Sequence, residues 1–235
     1  MALNIELQMN TPENVALNTS GVPEYAPMQH YHTTLGTSNK SVIAVDTTTM
    51  AVVEGGSGGT ATGYAAHAEG VATNASGEQG HAEGAATRAT GGQSHSEGAS
   101  TQATGAQSHA EGVTTKAIGA QAHSEGNFTE ASGDQSHTEG NSTEASGSAS
   151  HAEGYGTIAA SANQHVQGKY NVKDSNGVYA HIVGGGTGSG MARKNIHTLD
   201  WHGNAMFAGG ITFFDSNGNE HTLNEILERL TALES

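Results

Sequence analysis

The chain of 235 residues has no cysteine, one tryptophan and only eight lysines and arginines. The absence of cysteine removes disulfides and thiolate metal sites and leaves the redox compartment open. Aromatic residues make up 5% and the whole hydrophobic set 34%, so a conventional core would be thin. Few basic residues and a net charge of −15 weigh against nucleic acid as a direct partner, because phosphate binding relies on lysine and arginine. No stretch approaches the roughly 18 consecutive apolar residues of a membrane helix, so no membrane insertion is expected. The start, "MALNIELQMNTPENVALNTS", lacks a basic run followed by an apolar one. No signal peptide is expected, and synthesis is expected in the cytoplasm.

What fills the sequence instead is glycine, 34 residues, about twice the usual share, arranged with strict period. His67, His81, His95, His109, His123, His137, His151 and His165 are each fourteen residues apart. Two residues after each of the first seven stands a glutamate: Glu69, Glu83, Glu97, Glu111, Glu125, Glu139 and Glu153, with Gln167 closing the series. Threonine recurs from Thr73 to Thr157 and alanine from Ala75 to Ala159 at the same spacing. Glycine returns every seven residues from Gly63 to Gly154, is interrupted at Ser161, and resumes at Gly168. Such self-similarity is the signature of a solenoid.

The half-period selects which solenoid. Seven residues built around one glycine fit a short strand of four or five residues followed by a corner, where glycine adopts φ > 0 without steric cost. A helical repeat would need a longer period, and a glycine every seventh residue would cost it about 1 kcal/mol each time. One coil is therefore fourteen residues with two strands and two turns, stacked in parallel at roughly 4.8 Å. Side chains alternate across a strand. Burying unpaired His and Glu would cost several kcal/mol per group, so Ala and Ser point inward and the His and Glu columns point out. The Thr column also faces inward, which with Ala at the next same-face position disfavours an ice-binding array.

The pattern S-H-A-E-G-x-x-[ST]-x-A-[ST]-G resembles the S-V-A-I-G-type repeat of trimeric autotransporter adhesin heads over about residues 60 to 168, with His and Glu where that family has Val and Ile. The resemblance implies a left-handed parallel β-roll, three chains side by side. Residues 168 to 210 resemble the segment that follows His-rich rolls in tail-fibre and appendage proteins of phages and prophages of Gram-positive bacteria. The pieces that carry this are Tyr179-Ala180-His181-Ile182-Val183-Gly184, His197-Thr198-Leu199-Asp200-Trp201, Gly203-Asn204-Ala205 and Phe207-Ala208-Gly209. That implies a small β-rich trimeric cap or adaptor.

Downstream, Thr222-Leu223-Asn224-Glu225 reads as a capping box. Leu223, Ile226, Leu230 and Leu233 follow at a and d spacing, which with Leu at a and Ile at the first d favours more than two strands. A helix of about twelve residues is too short to persist alone and is read as a trimerisation plug. At the other end, "SVIAVDTTTMAVV" alternates as one or two strands and "VEGGSGGTATG" reads as a flexible lead-in.

Four groups of residues invite a chemical reading. Three chains could present His at every level to a divalent metal; the simpler reading is a polar ladder, each His hydrogen-bonded to a Glu of the next coil or chain. A catalytic cluster around Trp201, formed by His197, Asp200 and His202 with His181 nearby, lacks a marked nucleophile. Gly184 to Gly188 lack the Lys-Ser/Thr of a phosphate loop. His30 and His32 of "MQHYH" supply only two ligands. No enzymatic activity and no obligate cofactor are expected, and a polysaccharide-degrading enzyme and an ice-binding solenoid are the less favoured readings.

The sequence thus predicts an all-β, homotrimeric protein: an N-terminal attachment region over 1–60, a β-roll over 61–168, a β-rich segment over 169–219 and a coiled-coil helix over 220–235. Its expected role is a structural, adhesive fibre of a phage tail or phage-derived particle. Its expected partners are itself, tail or baseplate proteins, and a host cell-surface glycan or protein. A bacterial surface adhesin is the alternative.

Overall fold

The computed structural model describes residues 32–33, 42–46, 48–55 and 58–234. The chain is an all-β solenoid of about nine turns with coils of about fourteen residues, ending in one short helix. Each coil contributes a five-residue strand to one sheet and a two-residue strand to a second. The long strands run from His67–Val71 through His81–Ala85 to His165–Lys169; the short ones run from Thr60–Ala61 through Asn74–Ala75 to Ile158–Ala159. Pairing is parallel and in register at a shift of fourteen. His109 lies beside His123, Ala110 beside Ser124, Glu111 beside Glu125 and Gly112 beside Gly126. Every repeated residue type therefore becomes a column.

The two strands of a coil are unequal, where the half-period predicts similar ones. Backbone conformation is the reason. A left-handed residue follows each long strand (Ala72, Ala86, Ser100, Thr114, Phe128, Ser142), and another precedes the next (Gln79, Gln93, Gln107, Gln121, Gln135). Most left-handed corners are thus built by residues other than glycine, contrary to the sequence-based expectation. The glycines serve two other purposes. Gly84, Gly98, Gly112 and Gly126 sit inside the long strands at φ near +105°. Gly77, Gly91, Gly105, Gly119 and Gly133 do not have positive φ, but a Cβ on any of them would overlap the carbonyl of the glycine one coil on. That column permits the 4.8 Å stacking.

The interior is narrow and filled by small side chains. Ala68, Ala82, Ala110 and Ala152 from the long strands face Ala75, Ala89, Ala117 and Ala159 from the short ones, all fully buried. Thr73 through Thr157 and Ser94, Ser108, Ser136 and Ser150 are buried with them. The serines donate to the carbonyl three residues earlier, as Ser108 Oγ does to Gly105 O at 2.7 Å. The predicted inward placement of Ala, Ser and Thr holds.

The stack runs past residues 61 and 168 at both ends. Ala51–Gly55 pairs in parallel with His67–Val71 and antiparallel with Val42–Asp46. Of the one or two strands expected here, two are present, and Val53, Glu54 and Gly55 of the predicted lead-in belong to the second, while residues 56 and 57 lie outside the described set. At the far end Tyr179–Gly185 stacks on His165–Lys169, with His181 beside His165. That last coil is two residues longer, and its side chains close the roll. Asn171 is fully buried; its Oδ1 accepts from Ile158 N and its Nδ2 donates to Ile158 O, replacing the backbone partners a further coil would supply. Gln164 Nε2 donates to Asp174 and to Tyr179 O. Ser161 stands where the glycine column breaks, and its Oγ donates to Asp174 O at 2.6 Å.

Beyond the roll, Asn195–Asp200 turns back antiparallel on Tyr179–Gly185 and pairs with Ala205–Phe207. Thr212–Phe214 pairs with Glu220–Thr222, and the helix occupies Leu223–Glu234. The capping box is formed: Glu225 N donates to Thr222 Oγ1 at 3.3 Å and Thr222 N to Glu225 Oε2 at 3.0 Å.

Candidate functional site

The strand register makes two adjacent outer columns on the long-strand sheet. The imidazoles from His67 to His165 stack with ring centroids 4.6–4.9 Å apart and, through the middle of the roll, interplanar angles of 1–10°. His181, His197 and Phe207 prolong the column at centroid distances of 5.2, 5.4 and 4.6 Å. Two residues along each strand stand the glutamates. Glu69, Glu83, Glu97, Glu111, Glu125, Glu139, Glu153 and Gln167, over the strand glycines, line an open groove of about 1080 Å³ along the roll.

The expected intercoil hydrogen bonds from His to Glu do not form within the chain. The nearest approaches are 3.6 Å for His165 to Glu153 and 3.7 Å for His81 to Glu83 and His109 to Glu97. The Nε2 atoms of all eight residues from His67 to His165 are buried without a hydrogen-bond partner. Like stacks on like, because identical residues at identical register positions meet before different ones can.

The columns perturb their own titration. Burial first, and then the neighbouring imidazoles, hold His81, His109 and His137 below the usual histidine range. Among the carboxyls the shifts alternate. Glu97 is pushed up to about 7, chiefly through hydrogen bonds shared with Glu111 and Glu83, and Glu125 likewise through Glu111. Glu111 is lowered by accepting from Glu97 and Glu125, and Glu139 by accepting from Glu153 and Glu125. A carboxylic acid between two carboxylates relieves the repulsion that a fully ionised column would suffer.

Metal-ligating side chains cluster here, as His67–Glu69–His81 and Glu97–His109–Glu111, with ligand atoms within 4.8 Å. Nitrogen lone pairs lie in the ring planes, so two parallel imidazoles at this spacing do not converge on an ion about 2.1 Å from each. One ring flanked by two carboxylates, as at His109 with Glu97 at 3.7 Å and Glu111 at 3.9 Å, is the arrangement nearer to a divalent-cation set.

The other singled-out residues have local duties. Asp200 accepts from His202 N, Asn204 N and Asn204 Nδ2, each at 2.8 Å, which closes a hairpin turn; Asp215 repeats the same pattern with Asn217 and Asn219. Trp201 Nε1 donates to Gly177 O. His197 meets His181 and Phe207, not Asp200. Gly184, Gly185 and Gly186 leave room for Lys169 O, Ile196 and Tyr170 O, a packing role. His30 lies outside the described residues, and of His32 only its place in a strand is described.

On the helix Leu223, Leu230 and Leu233 are exposed and Ile226 is half-buried, together with an exposed Leu227 that the a/d reading omits. From Leu199 to Leu233 no residue is buried, although the run contains Trp201, Met206, Phe207, Phe213 and Phe214. Sequence reasoning also misses a third ladder: Gln79, Gln93, Gln107, Gln121 and Gln135 are joined by amide hydrogen bonds of 3.0–3.1 Å. Its signal is the glutamine two residues before five successive histidine-bearing strands, those of His81 to His137. No family model matches the chain, and no curated protein matches it.

Proposed function

We propose that the chain is a homotrimeric, fibre-like appendage of a phage tail or phage-derived particle, whose roll is a rigid shaft and whose C-terminal end is a host-binding tip. The observation that carries this reading is the run 199–233, rich in aromatic and leucine side chains and without one buried residue. A soluble chain does not leave so much apolar surface open unless copies or ligands cover it. Leu at the a positions and Ile at a d position favour more than two helices in the plug. The roll supplies reach without a thick core, since every coil hydrogen-bonds to the next. The assignment to a phage particle rests on the resemblance of residues 168 to 210. Three tips on one shaft multiply a weak contact with a cell-surface glycan or protein.

The test is adsorption of labelled full-length chain to a panel of bacterial strains, beside Leu230→Lys, which puts a charge into the plug. Saturable adsorption weakened roughly hundredfold in the monomeric variant is expected from lost avidity. Equal adsorption by trimer and monomer would contradict the reading.

A further inference from the structure

We propose that the long-strand face is the seam along which copies of this chain join, with the histidine column of each chain hydrogen-bonded to the glutamate column of the next. This rests on the trimeric reading and adds to it which face is shared and which groups meet.

The first support is the set of orphaned ring nitrogens. Eight consecutive Nε2 atoms, His67 to His165, lie buried with no hydrogen-bond partner. A buried polar atom left unpaired costs about 1–3 kcal/mol, so a whole column of them calls for a matching column of acceptors. Carboxylate acceptors stand two residues along each strand, and where they lean toward the ring of their own strand they stop at 3.7–3.9 Å from Nε2, beyond hydrogen-bond distance. They can be met by the histidines of a neighbour placed alongside at the same level.

Periodicity is the second support. The stacked rings repeat every 4.8 Å through the middle of the roll. A partner must repeat at that spacing over seven levels to satisfy the column. A second copy in parallel does so by construction; a partner without the repeat matches one level and misses the next. Because His must meet Glu and not His, the contact is head-to-tail in the plane across the roll, and such contacts close into a ring.

The remaining outer ladders need no partner. The glutamine amides bond to one another, Asn74 donates to Thr60, and Lys116 pairs with Glu130 at 3.0 Å. Among the described residues the other orphaned side-chain atoms are the Thr49, Thr73, Thr87, Thr115 and Thr143 hydroxyls and the Asn74 carbonyl. None of them is an outer column of donors.

Since the chain has no cysteine, single thiols report the contact directly. His109→Cys and Glu111→Cys chains, carrying tags of different size, are refolded together and apart, oxidised, and sized by light scattering and non-reducing gel. His123→Cys with Glu125→Cys repeats the test one coil on. A disulfide between the two tags in the mixed sample, at least tenfold more abundant than in either chain alone, is expected. Loss of assembly in these variants with the β signature of circular dichroism retained would also place both residues in the contact. A three-chain mass with no mixed disulfide at either level, or equal linkage in the unmixed samples, overturns the seam and leaves the fibre standing. A parent chain that is itself monomeric removes the fibre reading as well.

Discussion

Gly119 and Gly92 differ by what one methyl group would meet. A Cβ at Gly119 would overlap the carbonyl of Gly133 in the next coil, whereas at Gly92 nothing lies within 4 Å and φ is not left-handed. Gly119→Ala is expected to destabilise by about 3 kcal/mol or more, because both surfaces are backbone and cannot yield. Gly92→Ala is expected to stabilise by about 0.4–1 kcal/mol, through the unfolded chain alone. Chemical denaturation of the two variants measures both; equal effects would mean that stacking does not depend on this column. The carboxyls give a second test at this scale. Glu97 and Glu125 are raised in the folded chain from 4.5 to about 7, so they favour folding fully below pH 4.5 and lose that contribution as pH rises toward 7. The lowered histidines act in the opposite sense, favouring folding above pH 6.5 and losing that contribution as pH falls. The double variant Glu97→Gln with Glu125→Gln is permanently neutral at both sites. Its melting temperature is expected to exceed the parent's by a few degrees at pH 8 and to lose that advantage at pH 5. A difference that does not change with pH would contradict the shared-proton column.

Elements are stabilised here by repetition until the repetition stops, and the stop is where single residues matter most. Asn171 answers both backbone groups of Ile158 and also donates to Val172 O, closing the last short strand. Asn171→Ala is expected to cost about 1–3 kcal/mol and to open a strand edge to other chains. Thermal unfolding with light scattering measures both, and an unchanged variant would mean that the end needs no cap. This also explains what could be read from the sequence. A column announces itself seven or eight times, so the fourteen-residue coil, the inward Ala, Ser and Thr, and the outward His and Glu are all legible. Asn171, Gln164 and Asp174 occur once each in their roles, and no period points to them. The glycine columns were legible as positions but not as reasons, since φ > 0 and close backbone approach leave the same letter. The intercoil form of the His–Glu pairing does not occur, for a related cause: the pattern gives each residue's neighbours along the strand, whereas register decides that His lies over His.

For the whole molecule the central question is how many chains share the exposed surface. One chain leaves 199–233 without a buried residue and a run of imidazole Nε2 atoms without hydrogen-bond partners. Side-by-side copies would relieve both conditions and would support the helix, which at 12 residues is marginal in isolation. The metal-like clusters bear on the same point, because an ion held between chains would make assembly depend on it. The most direct measurement is the solution mass of the full chain by light scattering, with and without a strong chelator. The expected result is three chains of 23.8 kDa each in both conditions. A single-chain mass in the absence of chelator would contradict the trimeric fibre.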